Sequence, residues 1–358
     1  MSNRIDIRTL SLVEISKEIS DLGEKPFRAK QIYEWLWKKN AKNFEEMTNL
    51  SATLRKRLAE KFSIFPIIVS EEQQSSDGTI KSAFETHDKK TVEGVLIPTE
   101  KRLTACISSQ VGCSLSCAFC ATGRLKRLRN LTSAEIVDQV VNINKQALDS
   151  FAKPLSNIVF MGMGEPLLNY KEVLSAIDKI TGEDGLGMSP KRITVSTAGI
   201  AKMIRKLGDD EVKFNLALSL HAANDIKRNK IMAINEQNNL DELADALNYF
   251  YSKTKNTITF EYIIFRDFND ELSDARDLVK FCKCVPSKVN IIEYNPIDDG
   301  EYSQADPEKV DAFVNVLINN GIIAKVRRSR GKDIDAACGQ LANKNSVTKN
   351  VVFKEEKA

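Results

Sequence analysis

Hydrophobic positions follow two rhythms along this chain, and the change between them marks its organisation. From residue 8 to 64 the spacing is helical: Ile15, Ile19 and Leu22, then Ile32 and Leu36, then Leu50, Leu54 and Leu58. Recurrence every three or four residues puts apolar side chains on one helix face. Trp35 and Trp37 sit in the second of these helices, where an aromatic is expected in the core. Between 64 and 108 the apolar runs shorten to strand length: Phe65–Val69, Ile80–Phe84, Val92–Ile97 and Leu103–Ser108.

From Thr104 onward, strands and helices alternate. Thr104–Ser108, Ile158–Met161, Arg192–Ser196, Phe214–Leu220, Thr257–Ile264, Lys288–Glu293 and Ile322–Val326 read as strands. Between them, Thr132 and Glu135 have capping-box spacing and open a helix to about Leu148. Helical periods follow at Val173–Ile180, Met203–Leu207, 224–232, 240–251, Leu272–Cys282 and Val310–Asn319. Such α/β alternation with short links predicts a parallel sheet, open or rolled into a barrel. Active sites of these sheets lie beyond the C-terminal strand ends. Five polar stretches occupy such positions: the loop after Ser108, Gly162–Pro166, Ser196–Thr197, Ser219–His221 and Asn295. The expected division is a helical accessory domain over 1–64 and a β-rich extension over 65–103. A (β/α) core with a C-terminal loop over 104–342 and a flexible polar tail over 343–358 complete it.

With 358 residues, 42% of them hydrophobic, the chain can bury a large core. No apolar run approaches the ~18 residues of a membrane span. The start, MSNRIDIRTL, lacks the apolar stretch of a signal peptide, so a cytoplasmic protein away from membranes is expected. The net charge of +3 is uneven: residues 24–62 and 321–358 each carry +5, leaving −7 on the remainder. Basic ends on an acidic body suit a polyanionic partner.

Seven cysteines (106, 113, 117, 120, 282, 284 and 338) in such a chain point to metal or catalysis rather than a disulfide framework. Cys282 and Cys284 sit at a helix end outside any motif and read as ordinary thiols. Cys113, Cys117 and Cys120 place three soft thiolates in one loop. A closed zinc site needs a fourth ligand, which Cys106, Cys338, His87 or His221 could supply, and spacing alone leaves that open. Three ligands to a four-iron cluster would instead leave one iron free to bind a reactant. The glycines of Met161-Gly-Met-Gly-Glu165-Pro166 allow close backbone approach, beside a glutamate able to accept from an ammonium group.

Together with Phe119 before the last cysteine, these motifs resemble the radical S-adenosylmethionine superfamily. Nearly the whole chain is similar to the RNA adenine-C2 methyltransferase (RlmN-type) family. The matching stretches are 26–33, 92–98, 106–113, 162–166, 219–221, 294–296 and 333–341. The resemblance implies a partial (β/α) barrel and a 4Fe–4S cluster on Cys113, Cys117 and Cys120. It implies S-adenosylmethionine, two per turnover, at Gly164, Glu165, Ser196, Ser219, Leu220, His221 and Asn295. Cys338 would become S-methylcysteine, Cys106 would resolve the adduct through a transient disulfide, and Glu93 would accept a proton. The implied substrates are an adenosine in the peptidyl-transferase region of 23S rRNA and the adenosine 3′ of the anticodon in some tRNAs. Lys126, Arg127 and Arg129 could join the basic ends in holding phosphates. An electron donor such as flavodoxin or ferredoxin and a monomeric state are further expectations. Two rivals share the cysteines: a C8-methylating resistance enzyme of the same branch, and a zinc-stabilised RNA-binding protein without catalysis. Pro166 and Arg328-Ser-Arg330-Gly look like the C2 group.

Overall fold

The computed structural model describes residues 4–344. Its first unit is helical: α1 (Leu12–Asp21), α2 (Phe27–Trp37) and α3 (Ala52–Lys61). Ser11 and Glu14 form a capping box that starts α1. Trp37 is buried, whereas Trp35 donates from Nε1 to Asn49 at 2.6 Å with Lys39 over its ring. Arg8 docks this unit on the body. Its guanidinium donates to Asp6 and Asp138 at 2.9 Å and to the Phe65 carbonyl at 2.8 Å. Asp138 in turn accepts from the Ile67 amide.

An antiparallel meander follows: β1 (Ile68–Gln74), β2 (Ile80–Glu85), β3 (Thr91–Pro98) and β4 (Leu103–Cys106). The apolar run expected as the first strand, Phe65–Val69, mostly precedes it. Phe65 and Ile67 are committed to the Asp6 and Asp138 contacts. The true strand is polar and lies at the sheet edge, where one face needs no apolar cover. Two elements that periodicity cannot reveal, β5 (Gln110–Val111) and β6 (Arg129–Asn130), form a short ladder across the base of the cysteine loop.

The remaining elements alternate as expected: α4 (Ser133–Phe151), β7 (Asn157–Phe160), α5 (Tyr170–Thr181), β8 (Ile193–Thr197), α6 (Ala201–Asp209) and β9 (Asn215–Ser219). Then come α7 (Asp225–Ile231), α8 (Leu240–Thr254), β10 (Ile258–Ile264), α9 (Leu272–Cys282), β11 (Ser287–Glu293), α10 (Pro307–Asn319) and β12 (Ile323–Arg327). One ten-stranded sheet runs β1-β2-β3-β4-β7-β8-β9-β10-β11-β12, parallel from β4 onward.

Fully buried parallel strands usually read as unbroken apolar runs. These alternate instead. Ile158, Phe160, Val195, Leu218, Phe260, Tyr262 and Ile291 belong to the apolar core. Cys106, Thr194, Thr259, Glu261, Asn290 and Arg327 face a cavity. Cys106 on β4 and Arg327 on β12, at opposite ends of the parallel run, line that same cavity. The sheet therefore curls into a partial barrel with a polar interior. Among the described residues, no helix is long and apolar enough to cross a membrane. Most of the expected tail, 345–358, lies outside the described residues.

Candidate active site

The cysteine loop leaves the top of β4 and is tied at several points. The Cys113 amide donates to the Leu125 carbonyl at 3.3 Å, Ala118 to Ile231 at 3.0 Å, and Ala121 to Gly339 at 2.7 Å. Gly112, at φ 76°, passes so close to Lys126 that a Cβ would sit 2.3 Å from its carbonyl oxygen. Cys113, Cys117 and Cys120 line one cavity as free thiols. Burial pushes all three up from the ordinary thiol range, and neighbouring thiolates add to it. Such a set ionises readily only with a cation, which an iron cluster provides. A single tetrahedral zinc would hold its sulfurs within about 3.8 Å of one another. Among the described residues the one group of three candidate ligands within 4.8 Å is instead His87, Asp88 and Glu135. Two of those three, Asp88 and Glu135, already share Arg129.

Gly164, Glu165, Ser196, Ser219 and His221 line the same cavity as the cysteines. Gly164 has φ 94°, and a Cβ there would meet Gln110 at 2.5 Å. The absence of a side chain there leaves room for Gln110, whose Oε1 accepts from the Glu165 amide at 2.9 Å. Glu165 is buried, and its carboxylate accepts from the Leu167 and Ala198 amides at 3.0 and 2.8 Å. Burial pushes its pKa up to about 7 against those bonds. Among the described residues this carboxylate has no ion-pair partner, which suits a site for the ammonium of an amino acid moiety. Ser196 Oγ and Ser219 Oγ lie 3.4 Å apart.

His221 has φ 55°; its Nδ1 accepts from the Ile263 amide at 3.0 Å and its carbonyl accepts from Asn269 at 2.7 Å. Burial, then the nearby Arg228, lowers its pKa to about 3, so the ring is neutral. It shapes the pocket, with Phe119 packed edge-on at 4.7 Å. Leu220 is fully buried and does not line the cavity.

Sequence reasoning missed Arg228. This fully buried residue of α7 donates to the carbonyls of Leu220 (3.0 Å), Ala198 (2.6 Å) and Ser219 (3.2 Å) and to Asn235 (2.6 Å). An arginine inside a charged helical stretch gives no signal of burial. Gln110 was missed for a similar reason, because its partner lies 55 residues away.

After β12 the chain turns back over the barrel mouth and carries Cys338. Asn295 Nδ2 donates to the Cys338 carbonyl at 3.2 Å, and its Oδ1 is buried without a partner. Gln340 Nε2 donates to the Pro296 carbonyl at 2.9 Å, and Thr122 Oγ1 to Leu341 at 2.6 Å. Cys338 lines the cysteine cavity and also a second cavity, which it shares with Cys106. Burial, then Cys338, raises Cys106 to about 12, so it stands as a thiol. Both cysteines are free, and the disulfide implied by resemblance is not a bond of this structure.

Glu93 is buried on β3 and lines neither cavity. It accepts from the Ala342 and Asn343 amides at 2.8 and 3.1 Å, with Lys81 at 3.9 Å. Here it fastens the far end of the Cys338 loop.

Residues 5–64 match the ribosomal RNA large subunit methyltransferase N-terminal domain, and residues 107–281 match the radical SAM superfamily. A probable dual-specificity RNA methyltransferase RlmN of Flavobacterium psychrophilum is 60% identical, over 95% of this chain and 98% of that one. A dual-specificity RNA methyltransferase RlmN of an Anaeromyxobacter species is 43% identical over 95% and 91%. The crystal structure of a radical SAM methyltransferase from Sphaerobacter thermophilus superposes with a TM-score of 0.89 at 37% identity, covering 94% of this chain and 99% of that one. These relatives set aside the non-catalytic zinc reading and give the enzyme a 4Fe–4S cluster and S-adenosylmethionine as methyl donor. The chain belongs to the RlmN family of radical S-adenosylmethionine RNA methyltransferases.

Proposed function

We propose that this enzyme methylates C2 of one adenosine in the peptidyl-transferase region of 23S rRNA and of the adenosine 3′ of the anticodon in some tRNAs. The observation that carries the reading is the shared cavity of Cys106 and Cys338, continuous at Cys338 with the pocket of the three-cysteine loop. Adenine C2 is electron-poor and no nucleophile, so a sulfonium cannot simply methylate it. When bound, the cluster and S-adenosylmethionine supply a methyl group and a 5′-deoxyadenosyl radical. Cys113, Cys117 and Cys120 would hold the cluster. Glu165, the backbone at Gly164, Ser196, Ser219 to His221, and Asn295 would hold and shape the S-adenosylmethionine site.

Cys338 would carry the one-carbon unit as S-methylcysteine; the 5′-deoxyadenosyl radical would take one hydrogen atom from that methyl, the carbon radical would add to C2, and loss of one electron to the cluster and of the C2 proton would leave a covalent protein–RNA adduct. Cys106, protonated at rest, does not compete for the methyl group. As a thiolate it then attacks the Cys338 sulfur. The S–S bond forms as the C–S bond breaks, and the electron pair stays with the carbon, which a proton completes as methyl. Glu93 takes the C2 proton in this reading, which requires residues 342 and 343 to release it first. The basic helical unit and the basic C-terminal region hold RNA phosphates, and a flavodoxin or ferredoxin supplies electrons to a monomer.

Nucleoside mass spectrometry tests the proposal. Reconstituted enzyme given reductant, S-adenosylmethionine and unmodified 23S rRNA should yield 2-methyladenosine. 8-Methyladenosine would move it to the C8-methylating branch, and no methylated product from an intact cluster would overturn the assignment.

A further inference from the structure

Glu261 stands out in the barrel interior. It is a carboxylate on β10, 3% exposed, and it lines both cavities. One oxygen accepts from Asn290 Nδ2 on β11 at 2.8 Å. The other, Oε2, is buried with no hydrogen-bond partner. Its nearest cation, Arg327 Nη1, stays 3.8 Å away, too far for a hydrogen bond. Arg327 donates only weakly there, to Met161 Sδ at 3.8 Å. An orphaned buried acceptor at a cavity wall needs a reason, and a donor that arrives with a ligand is one.

Glu261, Arg327 and Cys338 are among the residues that line both cavities, together with Cys120 and Thr122. Arg327 lies within electrostatic reach of Glu261, Cys338 and Cys106. With Arg327 reaching the first two, Glu261, Arg327 and Cys338 offer an acceptor, a donor and a sulfur. The Watson–Crick edge of adenine reads donor, acceptor, carbon: the 6-amino group, N1, then C2. The second cavity also suits a polyanion, because Arg102, Lys288, Lys325, Arg328 and Arg330 line it. A base taken out of its stack is usually read by hydrogen bonds along this edge.

We infer that Glu261 is the specificity-determining residue for the target base, accepting from the adenine 6-amino group while Arg327 donates to N1 and C2 faces Cys338. This rests on the proposed RNA adenosine substrate. Guanine would place a carbonyl where adenine has the 6-amino group and an N–H where it has N1, and cytosine would place a carbonyl where adenine has C2–H. Glu165 is the acceptor on the cofactor side, and the two carboxylates divide the site between them.

The test uses the reconstituted holoenzyme and two RNA hairpins, one with adenosine and one with purine riboside at the target position. Purine riboside lacks the 6-amino group, and its C2 is at least as electron-poor, so a slower reaction is not a chemical defect of the base. Wild type should prefer adenosine in kcat/KM by about ten- to a hundredfold. Glu261→Gln keeps the shape. With Asn290 still donating to its oxygen, its free end becomes a donor, so the preference should fall to about one. S-adenosylmethionine affinity and cluster absorbance should not change. The ratio cancels any difference in the amount of folded enzyme. An unchanged preference in the variant overturns the inference. Weaker S-adenosylmethionine binding with the preference intact also overturns it, by assigning Glu261 to the cofactor pocket. Failure of wild type on the adenosine hairpin, with an intact cluster, instead removes the substrate assignment on which the inference depends.

Discussion

The two halves of the site are built differently. The cofactor side is made of strand ends. Gly164, Glu165, Ser196, Ser219 and His221 sit within a few residues of β7, β8 and β9, and parallel hydrogen bonding fixes their heights. The Cys338 side is a loop after the last strand, held by separate fastenings. Asp77 accepts from the Gly331 amide at 3.0 Å, Asp333 from Ser75 at 2.6 Å, and Glu93 from residues 342 and 343. These partners lie on the meander, and single hydrogen bonds tie the same loop to Asn295 and Pro296 after β11 and to Ala121 and Thr122 of the cysteine loop. One half therefore inherits rigidity from the sheet, while the other can shift without unfolding it. In the proposed mechanism, the part that exchanges thiol partners is the part held by single hydrogen bonds.

Cys338→Ala should sharpen that contrast most. Methylation should fall by about a thousandfold or more, while iron absorbance and the urea midpoint persist. Cys117→Ala should lose absorbance and activity together. Equal loss of iron in both variants would break the division. Next comes Glu93→Ala, which strands the buried Lys81 and two loop amides. A loss of about 3 kcal/mol in urea unfolding is expected, with new protease sensitivity over 328–343.

The rim should respond to pH instead. Glu165 is raised to about 7 by burial, so its stabilisation is present below its unfolded value near 4.5 and is lost as pH rises through 7. His221 is lowered to about 3, so its contribution is present above 6.5 and is lost as pH falls towards 3. The two oppose each other between 4.5 and 6.5. In the protein without cofactors, Glu165→Gln should therefore be worse, relative to wild type, at pH 5 than at pH 7, by about 2 kcal/mol. A pH-independent difference would show that Glu165 is ionised throughout. Smallest is Gln340→Ala, which removes one bond to Pro296 and one from Ala337. It should cost about 1 kcal/mol and lower turnover a few fold, leaving S-adenosylmethionine affinity unchanged in a binding titration.

The barrel and its rim were legible because both obey short-range rules. Period-two strands, period-3.6 helices and the Thr132 capping box placed each βα unit within a few residues. Local motifs then marked the rim. What stayed hidden depends on contacts distant in sequence. β1 is polar because it lies at an edge, Gln110 matters through Glu165 and Asn130, and the sequence separation of 249 between Glu93 and Ala342 conceals their bond. Glu261 shows the same limit: a lone acid in an apolar strand, ITFEYII, gains meaning only when curvature brings Arg327 opposite.

Arg228 has a consequence for how errors spread through the rim. Its one guanidinium holds carbonyls on both sides of the pocket, Ala198 after β8 and Ser219 and Leu220 at the end of β9. Thermal displacement of either loop is therefore shared with the other. The pocket can wander as a whole while its internal distances stay nearly fixed, much as a jig holds two workpieces to one another rather than to the bench.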